Sequence, residues 1–171
     1  MKGTVFIAWG GNRSLAQAVA RGLKEQDYSP EVGGDEKDPL EKNFYLGPQI
    51  LKQLNRASRA IILAQWPPEE DKADKNVEAT TPRFRPNLMF EWGYLCARLL
   101  PAYLHVFLIG IRRKDLPSHI LGTWSEEIKL NSIEKMAEVI IEQFLQKVVQ
   151  VPVVPVTAIE DWDSWKNWLK R

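Results

Sequence analysis

Residues 4–25 read TVFIAWGGNRSLAQAVARGLKE, and the fold is decided in this stretch. Thr4 to Trp9 is a continuous apolar and β-branched run with no polar alternation. Such a run fits a strand buried on both faces of a parallel sheet. Gly10 and Gly11 close it. From Ser14 to Glu25 the period changes to that of a helix, with Leu15, Val19, Leu23, Ala16 and Ala20 on one face. Strand, glycine turn and helix in that order open an α/β unit.

Working outward, residues 29–34 carry a weak strand signal and Asp35–Lys42 reads as a polar loop. Gly47–Ala57 reads as a helix with Ile50, Leu51 and Leu54 inward, and Arg59–Gln65 is the clearest strand of the chain. A polar stretch from Trp66 to Pro86 follows. A loop of that length is either a binding lid or a surface excursion. Pro86–Leu100 predicts a helix with proline at its first position and an apolar face of Leu88, Met89, Trp92, Leu95, Cys96 and Leu99. Pro101 ends it. Leu104–Ile109 is another doubly buried strand, Arg112–Glu127 reads as loops with one short turn, and Ser132–Val149 is a long amphipathic helix capped by Ser132. The alternation predicts an α/β, flavodoxin-like, doubly wound and mainly parallel sheet of about five strands. Such sheets bind ligands at the carboxyl ends of their strands. Residues 1–150 form the expected domain. Residues 151–171 form a Pro- and Val-rich extension ending in a helix that carries Trp162, Trp165, Trp168 and Leu169. That helix is expected to pack on the domain or on a partner, because three tryptophans so close together disfavour full exposure.

Composition narrows the function. A chain of 171 residues suits one compact domain. Lys plus Arg is 23 and Asp plus Glu is 22, a formal charge of +1, so no global field grips nucleic acid or an anionic membrane surface. The single cysteine, Cys96, excludes an internal disulfide and a cysteine zinc cluster; its place in the apolar pattern predicts a core residue. The two histidines, His105 and His119, lie apart, and no metal site is expected. No apolar run approaches the roughly 18 residues of a membrane span, and no secretory cleavage pattern is seen. The expectation is a cytoplasmic protein with no direct nucleic-acid or membrane partner.

Three loops follow strands, Trp9–Arg13, Trp66–Pro86 and Gly110–Asp115, and chain order brings them to one end of the sheet. Gly10 and Gly11 stand beside the positive end of a helix, a partial phosphate-binding signal, although the full G-x-G-x-x-G is absent. The segment Arg85-Pro86-Asn87-Leu88-Met89-Phe90-Glu91-Trp92-Gly93-Tyr94 is more specific. Glu91 is a lone carboxylate in an apolar helix, and Asn87, Glu91, Tyr94 and Arg98 share one helix edge. It either faces a cleft or forms an ion pair with Arg85 or Arg98.

Arg85–Arg98, R-P-N-L-M-F-E-W-G-Y-L-C-A-R, resembles the motif of bacterial TIR-like domains, including the TIR effectors of the CBASS and Pycsar cyclic-nucleotide antiphage systems. The V-F-I opening and the apolar strand Ala60–Ala64 fit the same family, over about residues 3–110. The chain departs from it in having Ser58-Arg59 before the third strand and Pro67-Pro68-Glu69-Glu70-Asp71 after it.

The resemblance implies an NAD glycohydrolase that cleaves the nicotinamide–ribose bond, with Glu91 as the catalytic carboxylate and NAD as substrate rather than cofactor. Nicotinamide leaves NAD as a neutral molecule from a cationic ring, so a carboxylate that stabilises the oxocarbenium-like transition state suffices. On this reading Trp9, Trp66 or Tyr94 stacks on a ring of the substrate. Arg13 or Arg83 meets its pyrophosphate. Gly10, Gly11 and Asn87 complete the binding residues. The resemblance also implies a defence or signalling effector activated by self-association or by a separate sensor chain. Two alternatives stand beside it. One is a catalytically silent TIR-like nucleotide-binding or scaffold module. The other is a nucleoside deoxyribosyltransferase-like enzyme, whose glutamate attacks the sugar covalently, although the Asp-x-Gly-Thr usual before that motif is replaced by Phe84-Arg85-Pro86-Asn87.

Overall fold

The structure, a computed structural model, describes residues 2–34, 48–66, 84–116 and 125–150. Five strands form one all-parallel sheet: β1 (Thr4–Trp9), β2 (Ser29–Val32), β3 (Arg59–Gln65), β4 (Leu104–Ile109) and β5 (Ser125–Ile128), in the order β2-β1-β3-β4-β5. The helices are α1 (Arg13–Glu25), α2 (Pro48–Arg56), α3 (Pro86–Arg98) and α4 (Ile133–Gln150). This is the flavodoxin-like, doubly wound α/β architecture that the alternating pattern predicts and the TIR-like one that the resemblance implies.

The strands of the middle are mostly apolar because both faces are covered. Phe6, Ala8, Ala60, Ile62, Ala64, Val106 and Leu108 face α2 and α3. Val5, Ile7, Ile61, Leu63, Phe107 and Ile109 face α1 and α4. Each fully buried Ile or Leu contributes about 1.5–3 kcal/mol relative to exposure, so the two layers fix the register of the sheet. The order reverses between β1, whose following crossover leads out to β2, and β3 on its other side. Crevices open at the carboxyl ends of strands at such a switch point.

Two expectations change. The span read as loops with one turn contains β5, which pairs in parallel with β4 from Val106↔Ser125 to Ile109↔Ile128. Its sequence, Ser125-Glu126-Glu127-Ile128, has one apolar residue and therefore no strand signature. Its Glu126 is anchored instead by Lys147 of α4. Cys96 is exposed rather than in the core. The apolar stripe of α3 is wider than its buried face, which comprises Leu88, Glu91, Trp92 and Leu95. The carboxylate of Glu91 takes an inward position that pattern reading gives to an apolar side chain.

Among the described residues no helix is long and apolar enough to cross a membrane. The expected extension over 151–171 and its tryptophans lie outside the described residues.

Candidate active site at the switch point

The site is built from the ends of β1 and β2 and the first turns of α3. β1 ends in Gly10-Gly11, after which Asn12 caps α1 by accepting from the Leu15 N–H at 3.1 Å. Both glycines are buried, and close packing explains them. A β-carbon on Gly10 would stand 2.4 Å from Leu88 of α3, and one on Gly11 would stand 2.5 Å from Gln65 of β3. Gln65 also accepts the Asn12 N–H at 3.0 Å. The glycines thus let α3 and β3 close on the turn, and they fix where α3 begins.

β2 is followed by Gly33, whose N–H donates to the Ile7 carbonyl at 3.0 Å. Its own carbonyl accepts from the Trp9 indole Nε1 at 2.7 Å. The Arg85 guanidinium lies over that indole, 5.5 Å from the ring centroid, a cation–π arrangement. Against Gly33 from the α3 side stands Glu91. A β-carbon on Gly33 would meet Phe6 at 3.1 Å and the two carboxylate oxygens of Glu91 at 3.3 and 3.4 Å. Trp9, Gly33, Arg85 and Glu91 therefore converge at the ends of adjacent strands.

Glu91 is 7% exposed. Among the described residues its carboxylate has no hydrogen bond and no ion pair. Burial pushes its pKa up to about 7, with no contribution from an arginine. Arg98 is turned away to α2, where Nη1 donates to the carbonyls of Leu54 at 2.8 Å and Ala57 at 2.6 Å, and Nη2 donates to that of Asn55. It satisfies the last carbonyls of α2 and complements the negative end of that helix. The ion-pair reading of Glu91 is thereby replaced by that of a buried acid, a state that costs free energy and makes Glu91 a functional-site candidate.

The remaining candidates divide. Tyr94 donates its hydroxyl to Asn55 Oδ1 at 2.7 Å and stacks on Phe90 with centroids 6.1 Å apart, so it faces α2. Asn87 is exposed on the first turn of α3, and Arg13 is exposed on the first turn of α1. Trp66, half-buried at the end of β3, lines a separate cleft of about 500 Å³ with Asn12, Gln65, Gly110 and Asn131 beyond the ends of β3, β4 and β5. Arg83 lies outside the described residues. Gly33 escaped sequence reading, although the Gly33-Gly34 pair after a strand was a visible turn signal. In the sequence Arg85 reads as an ion-pair partner of Glu91, and its place over Trp9 has no sequence signal. Among the described residues no group of three or more His, Cys, Asp or Glu side chains is placed to hold a metal.

A family model described as "CAP12/Pycsar effector protein, TIR domain" matches residues 4–130, which include all five strands, the switch point and Glu91. No curated protein matches the chain.

Proposed function

The chain belongs to the CAP12/Pycsar effector TIR-domain family, and from that premise we propose that it is an NAD glycohydrolase whose essential carboxylate is Glu91. One observation carries the reading: a buried carboxylate that has no ion pair among the described residues, beside Gly33 at the carboxyl ends of β1 and β2. In the proposed reaction the bond between ribose C1′ and the nicotinamide nitrogen breaks. Its electron pair neutralises the pyridinium, and positive charge develops on the ribose. The ionised Glu91 stabilises that charge in a poorly hydrated setting, where a single carboxylate acts far more strongly than in water. Water then adds to C1′ and loses a proton, giving ADP-ribose. Trp9, held by Gly33 and covered by Arg85, supplies an aromatic wall, and the guanidinium suits a phosphate.

The effector role in antiphage defence, with activation by self-association or by a separate sensor chain, is the biological setting that family membership supports. The family match also favours this chemistry over a deoxyribosyltransferase.

The test is nicotinamide release from NAD by the purified chain across a range of protein concentrations, with Glu91→Gln alongside. Release by the wild type, rising more than linearly with concentration and reduced about 10²-fold or more in the variant, is the expected result. Equal release by both proteins removes Glu91 from the mechanism. NAD binding without release, under conditions that drive assembly, makes the chain a nucleotide-binding module instead.

A further inference from the structure

β2 is one of the two edge strands of the sheet, and a cavity of about 630 Å³ lies along it between α1 and α2. That volume is in the usual range of small-molecule sites. Arg21 and Lys24 project from the α1 wall and Lys52 and Arg56 from the α2 wall. Glu31, on the floor, is the one carboxylate among the described residues that line the groove, and Glu134 of α4 approaches Arg21 from outside it. An anionic occupant is therefore favoured. The floor adds a second, independent demand. Glu31 Oε2 and Gln53 Oε1 are buried side-chain acceptors with no hydrogen-bond partner among the described residues. Buried acceptors of this kind call for a donor. The occupant must bring negative charge and N–H or O–H donors together.

An acidic peptide adding as a sixth strand is disfavoured by the strand itself. The N–H groups of Ser29 and Gly33 donate inward to Gly3 and Ile7, each at 3.0 Å, so residues 30 and 32 present their outer edge. Residue 30 is proline and has no N–H to offer, which blunts the edge against strand addition. A small ligand suits the groove better.

We propose that this groove is a second ligand site that takes a nucleoside phosphate, its phosphate held by Arg21, Lys24, Lys52 and Arg56 and its base donating N–H groups to Glu31 and Gln53. Guanine, with adjacent donors at N1 and N2, matches a carboxylate acceptor best. Glu31 lies two residues before Gly33, or about 7 Å along the strand. The groove is thus a neighbour of the Glu91 site, although Glu91 does not line it.

Isothermal titration of the full chain with GMP, and separately with inorganic phosphate, tests this at low salt. Saturable binding of one GMP per chain is expected, with phosphate at least tenfold weaker. Arg21→Ala combined with Lys52→Ala alters two exposed side chains and weakens GMP at least tenfold. Glu31→Gln weakens GMP at least fivefold without weakening phosphate. Glu91→Gln leaves GMP binding unchanged, which separates this site from the proposed NAD chemistry. Absence of GMP binding overturns the proposal, as does GMP no tighter than phosphate. So does a GMP affinity lost in Glu91→Gln but kept in the rim variant.

Discussion

Gly33 and Glu91 stand face to face: the two carboxylate oxygens lie 3.3 and 3.4 Å from the point where a β-carbon on Gly33 would be. The last residue beside β2 therefore sets how far the acid on α3 can enter the crevice. Because Gly33 also holds the Trp9 indole through its carbonyl, one short turn positions both a carboxylate and an aromatic wall.

Gly33→Ala tests that relationship. Its backbone is not in the left-handed region, so the added methyl acts through contact with Phe6 and Glu91 rather than through strain. The expected cost in stability is about 1–2 kcal/mol, an overpacking penalty. The fall in nicotinamide release should be tenfold or more, since a small displacement of a reacting group is costly. Steady-state kinetics beside a urea unfolding curve would separate the two. A loss of stability with turnover intact contradicts the placement of Glu91.

Glu91→Gln should stabilise the protein at high pH. The folded pKa of about 7 lies above the ordinary 4.5, so the stability attached to the protonated form is complete below pH 4.5 and is lost as pH rises through 7. The full difference is about 3 kcal/mol at pH 8. Denaturant unfolding of wild type and variant at pH 5 and pH 8 checks it: the gap should open with pH. A gap that is constant with pH means the acid titrates normally.

His105 works in the opposite direction. Burial, then the charges of Lys147 and Arg59, lower its pKa to about 3, so the ring is neutral in the native state. Its contribution is complete above pH 6.5 and is lost as pH falls toward 3, by up to about 5 kcal/mol. Between pH 4.5 and 6.5 the slopes from Glu91 and His105 oppose each other, which flattens the stability profile of the wild type. His105→Leu keeps an apolar packing partner for the Phe144 ring, now 4.9 Å from the imidazole centroid. It should resist acid unfolding to a lower pH than wild type, as followed by tryptophan fluorescence. Unchanged acid unfolding would place the acid-labile groups elsewhere.

Arg98→Ala leaves three carbonyls at the end of α2 without their donor. Charged hydrogen bonds of this kind make a loss of about 2–3 kcal/mol the expected result. Arg98→Lys should recover only part of it, because a point charge cannot span carbonyls as a planar fork does. Urea midpoints of the three proteins measure this. Full rescue by lysine would reduce the role of Arg98 to its charge.

The central architecture was legible because strands buried on both faces must be apolar, as in Arg59–Gln65 and Leu104–Ile109, and α1 shows its inward face at every turn. β5 was not, because an edge strand held by one neighbour and by a lysine from α4 needs little apolar character of its own. Glu91 was legible as a carboxylate out of place in an apolar helix. That it has no ion pair among the described residues was not, because Arg98 is drawn off by carbonyls of residues 54, 55 and 57, more than forty positions earlier. Cys96 was misplaced for a simpler reason: helical spacing gives the stripe but not the width that a neighbouring layer covers.

The half-titrated state of Glu91 makes substrate capture a proton-releasing event on the NAD reading. The pyridinium ring arrives with a positive charge, and a buried acid near its midpoint at pH 7 yields its proton to accommodate it. Affinity should therefore climb with pH below 7 and level off above it. Heats measured in phosphate and in Tris should differ by the ionisation enthalpy of the buffer times the fraction released. On that reading, nicotinamide release falls on acidification below pH 7 through the protonation of Glu91.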